Sequence, residues 1–150
     1  MERQIKFRGL RVDGQGWAHG YLFMTTINTV LEKCLKPCIQ EIETNGLHYD
    51  CYEVTPESVG QFTGKTTRSG KEIYGGDKLQ KTKDSYWLVK WSDSDCGWKC
   101  WQYVFSKDED GEYTWKQSTA YPLGHSLSGL LTYNYEVIGN IHEEREVNNG

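Results

Sequence analysis

Cysteines are the first residues in this sequence whose spacing could support chemistry. Four of the five form two C-x3-C pairs, Cys34/Cys38 and Cys96/Cys100, and Cys51 is the fifth. Four thiolates can hold a zinc ion tetrahedrally. In an extended strand, however, positions i and i+4 lie about 13 Å apart at a rise of ~3.3 Å per residue, which is too far for one metal ion. The aromatic residues around 96–100 favour a strand, so we expect buried or neutral thiols, no metal site and no cofactor.

A second candidate is the segment "GHSLSG", residues 124–129, which nearly matches the G-x-S-x-G nucleophile elbow. Ser128 stands where the last glycine of that motif belongs. A chain of this size is also too short for the parallel sheet that mounts such an elbow. We therefore expect a turn in which Ser126 and Ser128 bond to the backbone, and we predict no catalytic residue, no enzyme activity and no small-molecule substrate.

Two other polar groups have ordinary explanations. The acidic residues of "KDEDGE" (107–112) lack EF-hand spacing, so a solvated turn is expected. The histidines His19, His48 and His142 lie among predicted strand residues, where a surface or satisfied core role is favoured over ligation.

The tryptophans are better candidates for binding. In a strand, Trp87, Val89 and Trp91 share one face, whereas Trp98 and Trp101 point to opposite faces. Rings that face outward can stack on bases or anchor a protein partner, which makes Trp98 and Trp101 candidate binding residues. The alternative is that both faces of the sheet are covered, for instance by the 25–54 hairpins.

Basic residues form the last candidate group, because they cluster near the start and the centre of a chain whose net charge is −4. They are either ordinary solvated surface or one basic face that contacts phosphate or an acidic protein. The candidates are Lys6, Arg8, Arg11, Lys65, Arg68 and Lys71.

Most of the sequence predicts short strands joined by turns. Residues 25–38 have both helical spacing and β-branched residues, and we favour strand. Asn45-Gly46 predicts a type I′ hairpin turn within 39–54. "TPESVG" predicts one helical turn, capped by Thr55 and stopped by Gly60, and "AYPLGHSLSGLLT" predicts a loop.

The stretch "VGQFTGKTTRSGKEIYGGDKL", residues 59–79, predicts backbone geometry rather than phosphate binding, because it lacks the P-loop pattern. Phe62 points into the core, Ser69-Gly70 forms a turn, and Gly75 and Gly76 permit positive φ. Asp77 accepts backbone amides in that turn. The predicted structural residues are Gly60, Phe62, Gly64, Gly70, Gly76, Asp77 and Gly139.

Four segments resemble the YopX proteins, which are small proteins of phages and prophages. These are "IKFRG" near the start, "VTPESVGQFTG" and "GKEIYGGD" in the middle, and "EVIGNIHE" near the end. The sequence departs from the family pattern at Gly75, usually an acid, at His142, usually an aromatic residue, and in the insert that carries Cys34 and Cys38. The resemblance implies a mostly β protein with an SH3-like barrel, and it implies no activity.

We therefore predict a mainly β protein: one YopX-type domain over residues 1–150, with at most one or two short helical turns. Residues 1–54 form hairpins, 55–142 form a small SH3-like barrel, and 143–150 fray. Because no apolar membrane span or secretory signal is visible, we expect a cytoplasmic protein of the host bacterium with no membrane partner. The predicted function is non-enzymatic binding of an unknown protein, self-association included. The alternative is nucleic-acid binding through the basic residues and exposed aromatics.

Overall fold

The computed structural model describes residues 4–28, 33–42 and 49–142. This part of the chain contains twelve β-strands, one 3₁₀ turn and one four-residue α-helix, which confirms the mainly β prediction. The chain divides into two compact units, Met1–Gly64 and Lys65–Gly150. Neither helical segment is long and apolar enough to cross a membrane.

The first unit is an antiparallel sheet in which the strands lie in the order β4-β3-β2-β1-β5. These strands are β1 (Phe7–Leu10), β2 (Trp17–Asn28), β3 (Lys33–Ile42), β4 (Tyr49–Glu53) and β5 (Gly60–Thr66), whose last two residues belong to the second unit. β1 pairs with β2 and β3 pairs with β4, as predicted, and β2 also pairs with β3. Strand was thus the right choice for 25–28 and 33–38, whereas the Asn45-Gly46 turn lies outside the described residues.

A small apolar core holds this sheet together. Ala18, Ile39 and Val54 are buried, and Tyr52 and Val59 are among the half-buried residues packed against them. The β-branched and aromatic residues of these strands explain why the extended form wins over the helical spacing, since their side chains pack well on a pleated surface.

The predicted helical turn is present as a 3₁₀ helix at Pro56–Ser58, but its capping differs from the prediction. Thr55 makes no side-chain cap. Instead, the Ser58 hydroxyl donates to the Thr55 carbonyl at 2.6 Å and accepts the Leu10 N–H at 2.7 Å. Gly60 is not the stop, because the turn ends at Val59 and Gly60 already begins β5.

The second unit is an antiparallel sheet in the order β10-β9-β8-β7-β12, and β11 also pairs with β9. Its elements are β6 (Glu72–Tyr74), β7 (Asp77–Gln80), β8 (Ser85–Ser92), β9 (Gly97–Lys107), β10 (Tyr113–Gln117), β11 (His125–Ser126), α1 (Leu127–Leu130) and β12 (Glu136–Asn140). Within residues 65–142 this path ends at β10 and β12 without closing into a barrel.

The loop prediction for residues 120–132 was wrong in part, because this segment contains β11 and α1. Ser126 bonds to the backbone as predicted: its hydroxyl accepts the Gly129 N–H at 3.1 Å and caps α1. Leu127 and Leu130 lie three residues apart on one side of the helix and are both buried. The sequence pattern alone did not show that these two leucines are buried, and for this reason it predicted a loop.

The core of the second unit lies on one face of its sheet. Seven buried residues form it: Ile73, Leu79, Trp87, Val89, Cys100, Leu127 and Leu130. Trp87 and Val89 are two residues apart on β8, so the face that they share is the inner face.

The glycine-rich turn between β6 and β7 has the predicted construction, with one correction. Asp77 is 1% exposed, and its Oδ2 accepts the Tyr74 N–H at 2.8 Å. Gly76 has φ +94°, whereas Gly75 does not adopt positive φ, so one glycine supplies the turn. Of the other predicted structural residues, Phe62 and Gly60 are buried, and Gly64, Gly70 and Gly139 have positive φ.

Candidate binding surface

The outer face of the second sheet follows from the alternation of side chains along β8 and β9. Tyr86 lies opposite Tyr103, and Leu88 lies opposite Trp101. Each of these residues is one position away from an inner-face residue, so each points to the opposite side of the sheet. Strand β10 extends this face, because Trp115 lies opposite Phe105.

Five rings on this side form a continuous cluster, which we call the aromatic face: Tyr86, Tyr103, Phe105, Tyr113 and Trp115. Tyr86 stacks on Tyr103 with centroids 5.2 Å apart and planes 9° apart, and it contacts Trp115 at 4.8 Å. Phe105 lies 5.1 Å from Trp115 and 5.4 Å from Tyr113. Such pairs contribute about 0.5–1.5 kcal/mol each beyond their buried area, so the cluster is held in one arrangement.

The aromatic face is exposed at the β10 side of the sheet. Tyr113 is 59% exposed, Phe105 39% and Trp115 38%, whereas Tyr86 is 7% exposed. All five residues of β10 are exposed. Contiguous apolar surface of this kind marks sites of interaction with other molecules.

Charged groups border the aromatic face. Lys78 places its Nζ 4.7 Å from the Tyr86 ring centroid, and Lys107 places its Nζ 5.7 Å from that of Tyr113, both within cation–π range. Residues 108–112, which we call the acidic turn, join β9 to β10. Oδ1 of Asp108 accepts the N–H groups of Asp110 and Glu112 at 2.9 Å each, which fixes the turn.

The carboxylates of Glu109, Asp110 and Glu112 belong to exposed residues. The predicted solvated turn is thus confirmed, and it gives the aromatic face a negatively charged end.

The family model for the YopX protein matches residues 6–147. The chain belongs to the YopX family. Among curated proteins, no sequence matches it. The match to the YopX model includes both units and every residue of the aromatic face, so the resemblance carried by four short segments is confirmed over nearly the whole chain.

Of the two candidate tryptophans, neither is among the most exposed rings of this YopX protein. Trp98 is half-buried, packs against the core and meets Trp91 edge-on at 5.4 Å. Trp101 is half-buried and lies on the opposite face, as predicted. Its ring packs closely against Gly124, since a Cβ added at Gly124 would lie 3.0 Å from the Trp101 ring. Trp91, at 45%, is exposed.

The basic candidates of the first unit lie over aromatic rings. Lys6 lies 4.9 Å from the Phe62 centroid, and Arg8, itself buried, lies 4.9 Å from that of Trp17. Arg11 lies 3.7 Å from the Tyr52 centroid. Its guanidinium also donates to Asp13, which raises the pKa of Arg11 and lowers that of Asp13.

The basic candidates of the second unit share one exposed segment around the Ser69-Gly70 turn. Lys65, Arg68 and Lys71 are all exposed there. Nη2 of Arg68 donates to the Thr132 carbonyl at 2.6 Å, so this side chain also anchors the segment. The six basic candidates are thus divided between the two units.

The cysteines differ in environment rather than acting as a set. Cys100 is fully buried, and burial raises the pKa of its thiol to about 12. Cys51 and Cys96 are exposed, Cys38 is half-buried, and the side chain of Cys34 lies outside the described residues. The described residues contain no group of three or more His, Cys, Asp or Glu side chains that could hold a metal ion.

None of the five residues of the aromatic face was among the predicted binding residues. The signal was present, because Tyr103/Phe105 and Tyr113/Trp115 are aromatic pairs at period two on either side of a polar turn. Such a pattern predicts rings on one face of a hairpin. Which face is the core, however, depends on contacts with α1 and β6 that are distant in sequence.

Proposed function

We propose that this YopX protein is a non-enzymatic binding protein whose aromatic face contacts another protein. The observation that carries the proposal is the exposure of Phe105, Tyr113 and Trp115 in a preorganised ring cluster. Aromatic residues are enriched at protein interfaces, and rings already held in place lose little conformational entropy on binding.

Charge favours a protein over a nucleic acid at this surface. The acidic turn borders the rings, and its exposed carboxylates repel a phosphate backbone while attracting a partner that carries lysine or arginine. Arg8 and Arg11, which were candidates for phosphate contacts, are engaged with Trp17 and with Asp13 and Tyr52.

Two clefts among the described residues are small. One cleft, of about 210 Å³, lies between the segment before β1 and the start of β2. Another, of about 260 Å³, lies beside Asp95, Lys99 and Trp101. Both are smaller than the ~300–1,000 Å³ typical of small-molecule sites.

Nucleic-acid binding is the second candidate, and one observation favours it. Lys90 and Lys99 lie opposite each other in β8 and β9, on the same side of the sheet as the aromatic face. Rings beside cations can stack on the bases of single strands. If several phosphates were neutralised, affinity would fall steeply with salt, which a fluorescence-anisotropy titration with single-stranded DNA and RNA at low and high salt would detect.

Two further proposals concern fold and context. The register between β12 and β7 shifts between Val137 and Gly139, and a β-bulge at such a shift would bend β12, as an SH3-like arrangement of the second unit requires. The family supports a phage or prophage gene whose product acts in the cytoplasm of the bacterial host as an accessory protein.

Quantitative affinity capture tests the protein-binding proposal. Immobilised wild type and a Phe105→Ala/Trp115→Ala variant would be incubated with lysate of the bacterium that encodes the protein. We expect specific proteins to be retained by wild type and reduced about ten-fold or more by the double variant. Tyr133→Ala, which removes an exposed ring away from the aromatic face, is the matched control. Equal recovery by wild type and the double variant would contradict the proposal.

A further inference from the structure

Strand β10 lies at the edge of its sheet. Its partner is β9, and no other strand of the described residues pairs with it. Edge strands present unpaired backbone groups and are usually protected by a proline, a bulge or central charges. β10 has the sequence YTWKQ, with Lys116 as its one charged residue, and the register with β9 is unbroken.

The hydrogen bonds that flank β10 show which of its backbone groups point outward. Asp108 N–H donates to the Glu112 carbonyl, and Ser118 N–H donates to the Gln102 carbonyl, each at 2.8 Å. Residues 112 and 118 therefore turn their backbone groups toward β9. The backbone N–H and C=O groups of a strand point alternately to its two sides. Residues 114 and 116 therefore also direct these groups toward β9, and residues 113, 115 and 117 direct theirs away from β9.

The hydrogen bonds on the other side of β9 lead to the same assignment of inward and outward backbone groups. Phe105 N–H donates to the Asp84 carbonyl at 2.8 Å, so the amide of Phe105 points toward the β8 side rather than toward its register partner Trp115. The residues with outward backbone groups, Tyr113, Trp115 and Gln117, thus have their side chains on the aromatic face.

We propose that β10 accepts an extended segment of a partner protein as an added strand, and this inference rests on the proposed protein-binding function. The N–H and C=O groups of Tyr113, Trp115 and Gln117 would pair with the added backbone. Alternate apolar side chains of the segment would pack beside the aromatic face. Over its five residues β10 offers about 17 Å of edge, enough for a short linear segment.

Charge complementarity defines the chemistry of this segment. The acidic turn lies at the start of β10, so the segment carries lysine or arginine at the end that passes residues 109–112. The one cation of β10, Lys116, has its side chain on the opposite side of the sheet. Lys107 of β9 lies over Tyr113 at this end, but it is one cation against the three carboxylates of Glu109, Asp110 and Glu112.

A second copy of the chain fits less well. If two β10 strands paired antiparallel about Trp115, the acidic turn of each copy would face Ser118, Thr119 and Ala120 of the other. These residues carry no positive charge, so self-pairing leaves the carboxylates uncompensated. The charges therefore favour a basic segment of a different protein.

The test uses a displayed library of short random peptides as the probe and the full chain as the target. The binding constant of an enriched peptide would be measured for wild type, Gln117→Pro, Gln117→Thr and Trp115→Ala. Proline at 117 removes an outward N–H without removing a hydrogen bond to β9, and it blocks the edge while retaining every ring. Threonine at 117 retains the N–H and is the matched control.

We expect enriched peptides with alternating apolar residues and a basic end. We also expect affinity to fall about ten-fold or more in Gln117→Pro, with little change in Gln117→Thr. Residue-resolved amide exchange would then show new protection of the Trp115 and Gln117 N–H groups on peptide binding. The N–H groups of Thr114 and Lys116, which already face β9, would be protected in the free protein as well.

The outcomes separate the inference from the proposed function. If Trp115→Ala abolishes binding but Gln117→Pro binds like Gln117→Thr, the aromatic face binds protein without strand addition, and this inference is wrong. If no peptide is enriched, or if neither variant alters binding, the protein-binding role of the face fails as well. A wild-type dimer that Gln117→Pro converts to a monomer would identify a second copy as the occupant and overturn the basic-segment proposal.

Discussion

Cations of this chain lie repeatedly over aromatic rings of their own unit. Arg8 lies over Trp17, Arg11 over Tyr52, and Lys78 over Tyr86. From the sequence these side chains count as charges available to a ligand. Their engagement could not be predicted, because each pair joins residues that only the fold brings together. In contrast, the Asp77 turn was predictable, because its partner Tyr74 is three residues away.

The first prediction concerns Asp77. Asp77→Ala removes the acceptor of the buried Tyr74 N–H, so we expect the free energy of unfolding to fall by about 1–3 kcal/mol. Asp77→Asn keeps an acceptor oxygen and should cost less. Urea unfolding monitored by tryptophan fluorescence measures both. A stability of Asp77→Ala equal to that of wild type would contradict this role.

The second prediction concerns the reactivity of the cysteines at pH 8. Burial raises the pKa of Cys100 to about 12, so its thiol is neutral far above physiological pH, and it is also inaccessible. We expect iodoacetamide to label the exposed Cys51 and Cys96 in the native protein, and Cys100 only after denaturation. Peptide mass spectrometry gives the extent of labelling at each site. Equal native rates at Cys96 and Cys100 would show that the inner face is not closed around Cys100.

At the scale of elements, strands with alternating aromatic and β-branched residues could be predicted, and short helical elements could be predicted only where local signals exist. Pro56 marked the 3₁₀ turn, and the polar turn between β8 and β9 marked that hairpin. Helix α1 has four residues, too few for a periodic pattern, and burial of Leu127 and Leu130 stabilises it.

The pairing of β2 with β3 yields the third prediction. A Cβ at Gly20 would lie 2.0 Å from the Gln40 carbonyl oxygen, whereas a Cβ at Gly14 would meet nothing within 4 Å. Both glycines have positive φ, at +158° and +77°, so both alanine variants are strained, and the two differ in available space. We expect Gly14→Ala to cost about 1–2 kcal/mol and Gly20→Ala clearly more.

Thermal unfolding of the two alanine variants by circular dichroism measures this difference. If Gly20→Ala were as stable as Gly14→Ala, the close approach of β2 and β3 at Gln40 would be wrong.

At the scale of the whole molecule, the β class followed from composition and turn spacing, but the grouping of strands did not. The chain divides at Gly64/Lys65, within β5, where no change in composition marks a boundary. The aromatic face could not be predicted from the sequence either. Sequence alternation shows that a strand has two faces, and only the packing of Leu127 and Leu130 against β8 and β9 identifies the inner one.

In-cell photocrosslinking from position 115 tests the central claim, protein binding by the aromatic face, most directly. Trp115 would be replaced by p-benzoylphenylalanine in the full chain, which would be expressed in the proposed bacterial host and irradiated, with the same replacement at Tyr133 as the control. We expect discrete protein adducts from position 115 that are absent from position 133. Adducts to nucleic acid alone, or identical patterns from both positions, would contradict the account.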